Sequence, residues 1–436
     1  MTVRVAIVGS GPSGFYTADA LLRSGANVEI DVIDRLPTPF GLIRAGVAPD
    51  HQKTKNVQRA YEKTAMNEKV EYFGNVDIGS DVSVDELKEL YDAVVLAIGS
   101  PYDRKLGVPG EDKKGVFGSA DFVGWYNGHP DFRDLEPNLN TNAVVVIGVG
   151  NVAIDCARVL VKTPAEMSTT DLATHAAEAI HASPLEDVYM VGRRGPIEAK
   201  FTNVELREMG ELEDCTPIID ADQIPEEVPE DMEMSDRDRR LKDRNLGTLR
   251  GFVDAEPAGR KRRVHFQFFA SPIEILGGDS VEGIRLEKNE VRDGRAVGTG
   301  DTYDIPCKIV IPAIGYQGQP LKGVPFDERN GVIENDDGRV SDGLYAVGWI
   351  RRGPTGVIGT NKHDGDRAAE QINEDCNDSA KLGRVGLKSL LLGKDVRYID
   401  YKNWQRIDDA EKSAATDGAP RRKLTRIPEM LAVLDG

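Results

Sequence analysis

The chain opens on the apolar run Val3-Arg4-Val5-Ala6-Ile7-Val8, which lacks the alternation of a half-wet strand and reads as a strand buried on both faces. Gly9-Ser10-Gly11-Pro12-Ser13-Gly14 follows, then an Ala/Leu-rich segment with helical spacing, then a second apolar strand (VEIDVID) closed by Asp34. Residues 52–69 read as an exposed helix, Val70–Val76 as a strand, and Asp92–Ser100 as a buried strand ending at a glycine. The opening pattern returns at Asn142–Val149, where a second apolar strand runs into Gly148-Val149-Gly150-Asn151-Val152-Ala153 and a helix. A polar, helical insertion (about 163–186) precedes the strand Val188–Val191. Strands from about 264 to 311 include an antiparallel excursion with a turn at Arg292-Asp293-Gly294, and Lys308–Gly315 echoes the strand near residue 95. The tail holds a short helix (AAEQI), a Leu-rich stretch and a helix over Tyr401–Lys412. Strands alternating with helices predict an α/β protein.

The glycines give the two repeated units a chemistry. In a strand–turn–helix unit, Gly9 makes the tight turn, Gly11 lets backbone N–H groups approach a pyrophosphate, and Gly14 lets the helix pack close. Pro12 and Ser13 open the helix, and Asp34, twenty positions beyond Gly14, stands where a carboxylate accepts ribose hydrogen bonds. Gly148, Gly150, Asn151 and Val152 form the second turn, with Ala153 as the small packing residue. Two such units imply two dinucleotides. After the second unit's next strand there is no acid; Arg193-Arg194 stands there instead, and a guanidinium pair binds a 2′-phosphate where a carboxylate repels it. NADP is expected over NAD.

Composition sharpens this only in part. A chain of 436 residues allows two or three domains. No apolar run approaches the ~20 residues of a membrane span, and the first strand starts too early to leave room for a leader, so a cytoplasmic protein without membrane contact is expected. A net charge of −18 argues against nonspecific nucleic-acid binding. The cysteines (Cys156, Cys215, Cys307, Cys376) lie far apart with no CxxC, so no metal site and no dithiol redox centre is expected. Two basic clusters interrupt the acidic chain: Arg237, Arg239, Arg240, Lys242 and Arg244, and then Arg260–Arg263. Charge runs usually coat a solvated face; the first cluster is also a candidate landing site for an acidic protein.

The long loop after Asp34 decides among dinucleotide proteins. Its string Pro39-Phe40-Gly41-Leu42-Ile43-Arg44-Ala45-Gly46-Val47-Ala48-Pro49-Asp50-His51 resembles the corresponding loop of the adrenodoxin reductase family, FAD-containing ferredoxin–NADP reductases. The GRRGP around Arg193-Arg194 is similar too, as is Trp349 after YAVG, where many other flavoproteins carry an acid. That resemblance implies two Rossmann-like dinucleotide-binding domains, the NADP domain inserted in the FAD domain: 1–103 and 318–436 for FAD, 104–317 for NADP. It implies that the first glycine turn, Gly41, Leu42, Val76, Trp349 and the backbone of Gly356, Val357 and Ile358 meet FAD. Arg104 and Glu205 would meet NADP, while Glu208 would lie near the nicotinamide, against His51; these two are the candidate catalytic residues. Thr202 and Glu205 also have capping-box spacing, which explains both without function. The implied activity is hydride transfer from NADPH to FAD, then single electrons to an iron–sulfur ferredoxin docking near Arg240 and Arg244, with a cytochrome P450 as a candidate end acceptor. Two alternatives stay open: an NADPH oxidase or quinone reductase with a small-molecule acceptor, and a nucleotide-sensing module without turnover.

Overall fold

A computed structural model describes residues 2–230, 232–253, 255, 259–376, 380–416 and 418–436. Two sheets organise it, each with one glycine-turn unit at its centre. The first has the order Arg339–Ser341, Leu344–Ala346, Ala93–Leu96, Val3–Val8, Val28–Asp34, Val70–Gly74; all neighbours are parallel except the edge pair Arg339–Ser341 and Leu344–Ala346. The second is wholly parallel: Ile309–Pro312, Ala143–Ile147, Asp187–Val191, Arg262–Gln267, Cys215–Ile218. In both, the strand entering the glycine turn lies between the next strand in sequence and a strand from further along the chain. The order reverses there, leaving a crevice at the strands' carboxyl ends.

The continuous apolar runs are explained by burial from both sides. Val5, Ile7, Val144 and Val146 are fully buried, as are the alternate residues Ala6 and Val145; each larger one contributes roughly 1.5–3 kcal/mol. The helix Pro12–Arg23 packs against Thr360–Asp375, whose Gly365 sits against the backbone of Tyr16 and Thr17. The latter runs 16 residues, where the sequence suggested only a short helix at AAEQI. Its first half, TNKHDGDR, is too polar to show an apolar stripe.

The chain passes between the sheets twice, and the crossing strands Tyr102–Asp103 and Tyr316–Gln317 pair antiparallel. The expected excursion is a three-stranded antiparallel sheet, Ala270–Leu276, Gly283–Arg292 and Arg295–Pro306. Asp293 and Gly294 both take positive φ (50° and 70°) in its turn, as a two-residue hairpin requires. Residues 52–69 depart from the single exposed helix expected. They form Gln52–Lys55 and Gln58–Ala65, and both Lys55, paired with Asp171, and Tyr61, packed on Phe15 and Phe40, are buried.

Candidate active site

The glycine turns divide into two kinds. Gly9 has φ 108°, and a Cβ there would lie 2.4 Å from the Ala97 carbonyl oxygen; at Gly14 a Cβ would lie 2.0 Å from the Gly9 oxygen. Gly148 likewise has φ 146° and faces the Ala313 oxygen at 2.3 Å. These three glycines serve the protein's own packing. Gly11 and Gly150 do not: their φ values are −75° and −120°, open to any residue. A Cβ at Gly11 would meet only Gly41 Cα at 4.0 Å, and one at Gly150 nothing within 4 Å. Each precedes a helix N-terminus without a side-chain cap, Pro12–Arg23 and Asn151–Val161, whose first N–H groups suit an anion. Bare backbone with free donors fits a pyrophosphate at both turns.

Around the first turn, Asp34 holds the loop itself. Its Oδ2 accepts from Ser10 N–H (2.9 Å) and Ser10 Oγ (2.5 Å), and its Oδ1 from Leu36 N–H (3.0 Å), leaving lone-pair capacity on Oδ1 for a hydroxyl. Val76 lies just beyond the strand Val70–Gly74, its N–H already given to the Asp34 carbonyl. Gly41 (φ 49°) would bring a Cβ to 3.0 Å from Gly11 Cα, and Leu42 beside it is half exposed. Ser13 is buried under Gly348, where the chain turns into Trp349, which lies against Tyr316. Gly356, Val357 and Ile358 fall one turn before the helix Thr360–Asp375, not at its first residue, and the Val357 N–H is bonded to Thr360 Oγ1.

Around the second turn, Asn151 Oδ1 accepts the Thr202 N–H at 2.8 Å. That contact leaves the expected capping box half formed: Thr202 accepts from Glu205 N–H, but the Glu205 carboxylate is released toward the site. Val152 is half-buried in the same helix. Arg193 and Arg194 directly follow Asp187–Val191; Arg193 is exposed, and Arg194 reaches the Gly294 carbonyl. Arg104 spans the crossing strands, donating to the Tyr316 and Asn330 carbonyls.

Where the loop after Asp34 meets the helix Asn151–Val161 lies a knot of charge built on a residue the sequence did not single out. Arg158, fully buried, donates Nε to Asp50 Oδ2 (2.7 Å), Nη2 to Asp155 Oδ1 (2.7 Å) and Nη1 to Glu205 Oε2 (3.2 Å); Lys162 also reaches Asp50. His51 Nε2 stands 3.0 Å from Glu208 Oε2, 3.4 Å from Glu205 and 2.8 Å from Arg158 Nη2. The structure thus brings His51 and Glu208 into contact, from opposite sheets. Burial alone would raise Asp50, but Arg158 and Lys162 hold it well below the usual carboxylate range. Burial pushes Asp155 and Glu205 up. His51, Glu205 and Glu208 have a metal-like spread of ligand atoms, yet Arg158 Nη1 already supplies a positive charge to both carboxylates.

The knot can hold a proton at one atom in two satisfied states. With Nε2 protonated, His51 donates to Glu208 while Arg158 Nη2 serves Asp50 and Asp155; with Nε2 bare, it accepts from Arg158. Burial and the Arg158 charge oppose protonation, but Glu208, aided by Asp155 and Glu205, outweighs them and raises the imidazole above its ordinary 6.5. The contribution is complete below the unfolded 6.5 and fades as pH rises through the higher folded value. His51→Asn is therefore expected to destabilise by about 1 kcal/mol near pH 6 and by far less near pH 9. Urea titrations giving equal costs at both pH values would refute this.

The first basic cluster splits by function. On the helix Asp236–Val253, Arg239 donates to the Val228, Pro229 and Met232 carbonyls and Lys242 to Ala199, whereas Arg237, Arg240 and Arg244 are exposed at helical spacing along one side. The second cluster is structural: Arg260, Arg262 and Arg263 bond Cys215, Leu160 and Asp187. Asp231, in the acidic run before the helix, lies outside the described residues.

Comparison with known proteins places the chain among relatives matched over its full length. The family described as "Pyridine nucleotide-disulphide oxidoreductase" matches residues 3–197; all four cysteines here are free. The NADPH-ferredoxin reductase FprA of Mycobacterium tuberculosis is 41% identical, over 98% of each chain. The mitochondrial NADPH:adrenodoxin oxidoreductase of Arabidopsis thaliana is 40% identical over 99% of this chain and 95% of its own. A solved structure of Mycobacterium tuberculosis FprA in complex with NADPH superposes with a TM-score of 0.94 at 40% identity, covering 100% of both chains.

Proposed function

This chain belongs to the adrenodoxin reductase family of NADPH–ferredoxin reductases, and we infer from that membership that it is an FAD-dependent NADPH:ferredoxin oxidoreductase. Whole-length likeness to proteins named for that reaction carries the reading, on a fold whose Gly11 and Gly150 are open for two dinucleotides. Bound FAD supplies the chemistry, accepting a hydride from NADPH and releasing electrons one at a time.

The chain's own residues bind, align and neutralise. Gly11 and the helix N-terminus at Pro12 and Ser13 would hold the FAD pyrophosphate and Asp34 its ribose, with Gly41, Leu42, Val76, Trp349 and Gly356–Ile358 along the rest. Gly150, Asn151 and Val152 would hold the second pyrophosphate, with Arg104 and Glu205 beside that nucleotide. The segments 1–103 and 318–436 form the FAD part and 104–317 the NADP part, supported by the paired crossing strands. His51 and Glu208, joined across these parts, hold a proton at Nε2 and fix their spacing.

Arg193 and Arg194 carry the choice of NADP. Replacing both by alanine is expected to raise KM for NADPH more than tenfold, over about 1.4 kcal/mol, with NADH use little changed. Equal losses with the two nucleotides would remove the 2′-phosphate from these residues.

Ferredoxin docks on the exposed side of Asp236–Val253, where Arg240 and Arg244 offer the positive charge an acidic carrier needs. Arg240→Glu with Arg244→Glu should slow ferredoxin reduction roughly tenfold at low salt, with the gap closing at high salt. Anaerobic stopped-flow tests the whole reading: NADPH should bleach the flavin, and an acidic ferredoxin should restore its colour in a salt-sensitive step. Bleaching without transfer to any iron–sulfur carrier would point to a small-molecule acceptor. No helix among the described residues is long and apolar enough to cross a membrane. A cytoplasmic location stays part of the proposal, and since some relatives are named mitochondrial, cell fractionation decides it.

A further inference from the structure

Beneath the loop that carries Phe40, Ile43 and Arg44, three stretches of chain meet over a second cluster of buried charge. Lys55 comes from the loop after the first unit, Asp171 from the insertion in the second, and Lys423 from the C-terminal segment. Asp171 serves two ammonium groups, Lys55 Nζ at 2.7 Å and Lys423 Nζ at 3.1 Å, and all three side chains are buried. The neighbouring charges balance in number, Arg44 pairing with Glu411 and Arg421 with both Asp408 and Glu411. At the rim, exposed Lys412 faces Asp408 and half-buried Glu62. The surplus positive charge therefore sits at Asp171.

The hydrogen-bond accounts of the two lysines differ. Lys423 has three acceptors for its three N–H groups: Asp171, the Arg44 carbonyl and Asn127 Oδ1. Lys55 has one, Asp171 Oδ1, among the described residues. Its remaining donors border a cavity of 40 Å³ lined also by Arg44, Arg421, Gln52, Asn56 and Trp404 and by the Asp171 carboxylate, whose Oδ1 is already taken by Lys55 and by Gln52 Nε2. Such a space takes one or two water-sized occupants. Water would satisfy the N–H groups but leave the surplus charge, which is costly in a buried place. A single small anion answers both needs. We propose that this cavity is a binding site for a monovalent anion of the chloride class, held by Lys55 and Arg421, which ties the C-terminal segment to both nucleotide-binding parts. Burial disfavours the charged form of both Lys55 and Lys423, as expected of two ammonium groups that share one carboxylate.

The test compares thermal unfolding of the holoprotein in sodium chloride, sodium bromide and sodium gluconate at equal ionic strength. Gluconate is too bulky for the cavity, and equal ionic strength removes screening as a cause. Chloride and bromide should raise Tm by about 2–4 °C over gluconate. A bromide-soaked crystal should show an anomalous peak between Lys55 Nζ and the Arg421 guanidinium. In Lys55→Met, Asp171 keeps Lys423 as a one-to-one partner, so the variant should fold and its halide increment should vanish. Equal Tm values in the three salts, an unchanged increment in Lys55→Met, or no bromide peak would each overturn the proposal. So would a peak without a Tm effect, which marks binding at crystal concentration only. If the variant fails to fold, the wild-type Tm series and the bromide peak decide.

Discussion

Arg158→Met is expected to destabilise the protein by about 3–5 kcal/mol near pH 8, because it removes one partner from a buried charged set. Methionine fills much of the arginine's volume, so the loss is of charge and hydrogen bonds more than packing. Asp50 would keep only Lys162, while Asp155 and Glu205 would lose their guanidinium donor. The pH dependence gives the effect a signature. In the wild type, Asp50 is held low, so its contribution is present above the ordinary 3.8 and is lost as pH falls through the folded value. Without Arg158, burial dominates and these carboxyls take up protons on acidification, which relieves the repulsion. The deficit in urea titrations should therefore shrink between about pH 8 and pH 5, and Asp50→Asn in the variant should recover part of it. A deficit below about 1 kcal/mol, or one independent of pH, would show that the knot does not join the two halves as its geometry indicates.

Arg158 also marks where reading the sequence stops. The placement of the glycine turns, Asp34 and Arg193-Arg194 at the ends of their strands was legible because a strand–turn–helix unit sets positions at fixed offsets within one short stretch. Arg158 depends on Asp50, 108 positions away. One signal was present: in AIDCARVLV it occupies a stripe with Ile154 and Val161, all buried, where an arginine must find buried partners. Lys55 failed in the opposite direction. QKTKNVQ is polar except for Val57 and reads as solvated, and the ammonium is buried against Asp171, a residue 116 positions away that the stretch itself does not announce. At Glu205 the local rule was correct for the backbone and wrong for the side chain, since Asn151 took the N–H that a capping box would have used.

Gly11→Val should give a folded protein almost free of flavin, with FAD affinity lowered more than about 100-fold, or roughly 2.7 kcal/mol. The backbone at Gly11 (φ −75°, ψ −173°) suits valine, and the protein places nothing nearer than 4.0 Å to the new Cβ. The Cβ itself therefore meets no clash with the protein, and Gly11→Ala should fold as the wild type does. Gly14→Val separates binding from folding: its Cβ would lie 2.0 Å from the Gly9 carbonyl oxygen, so soluble native protein should be lost along with the flavin. Gly150→Val completes the contrast, since open space and φ −120° let it fold and keep FAD, while NADPH should no longer bleach the flavin. Flavin absorbance per mole of protein, far-ultraviolet circular dichroism and anaerobic NADPH titration read the three outcomes separately. Stoichiometric FAD in Gly11→Val would mean that the first turn holds no pyrophosphate, and the assignment of the two turns would have to be exchanged or abandoned.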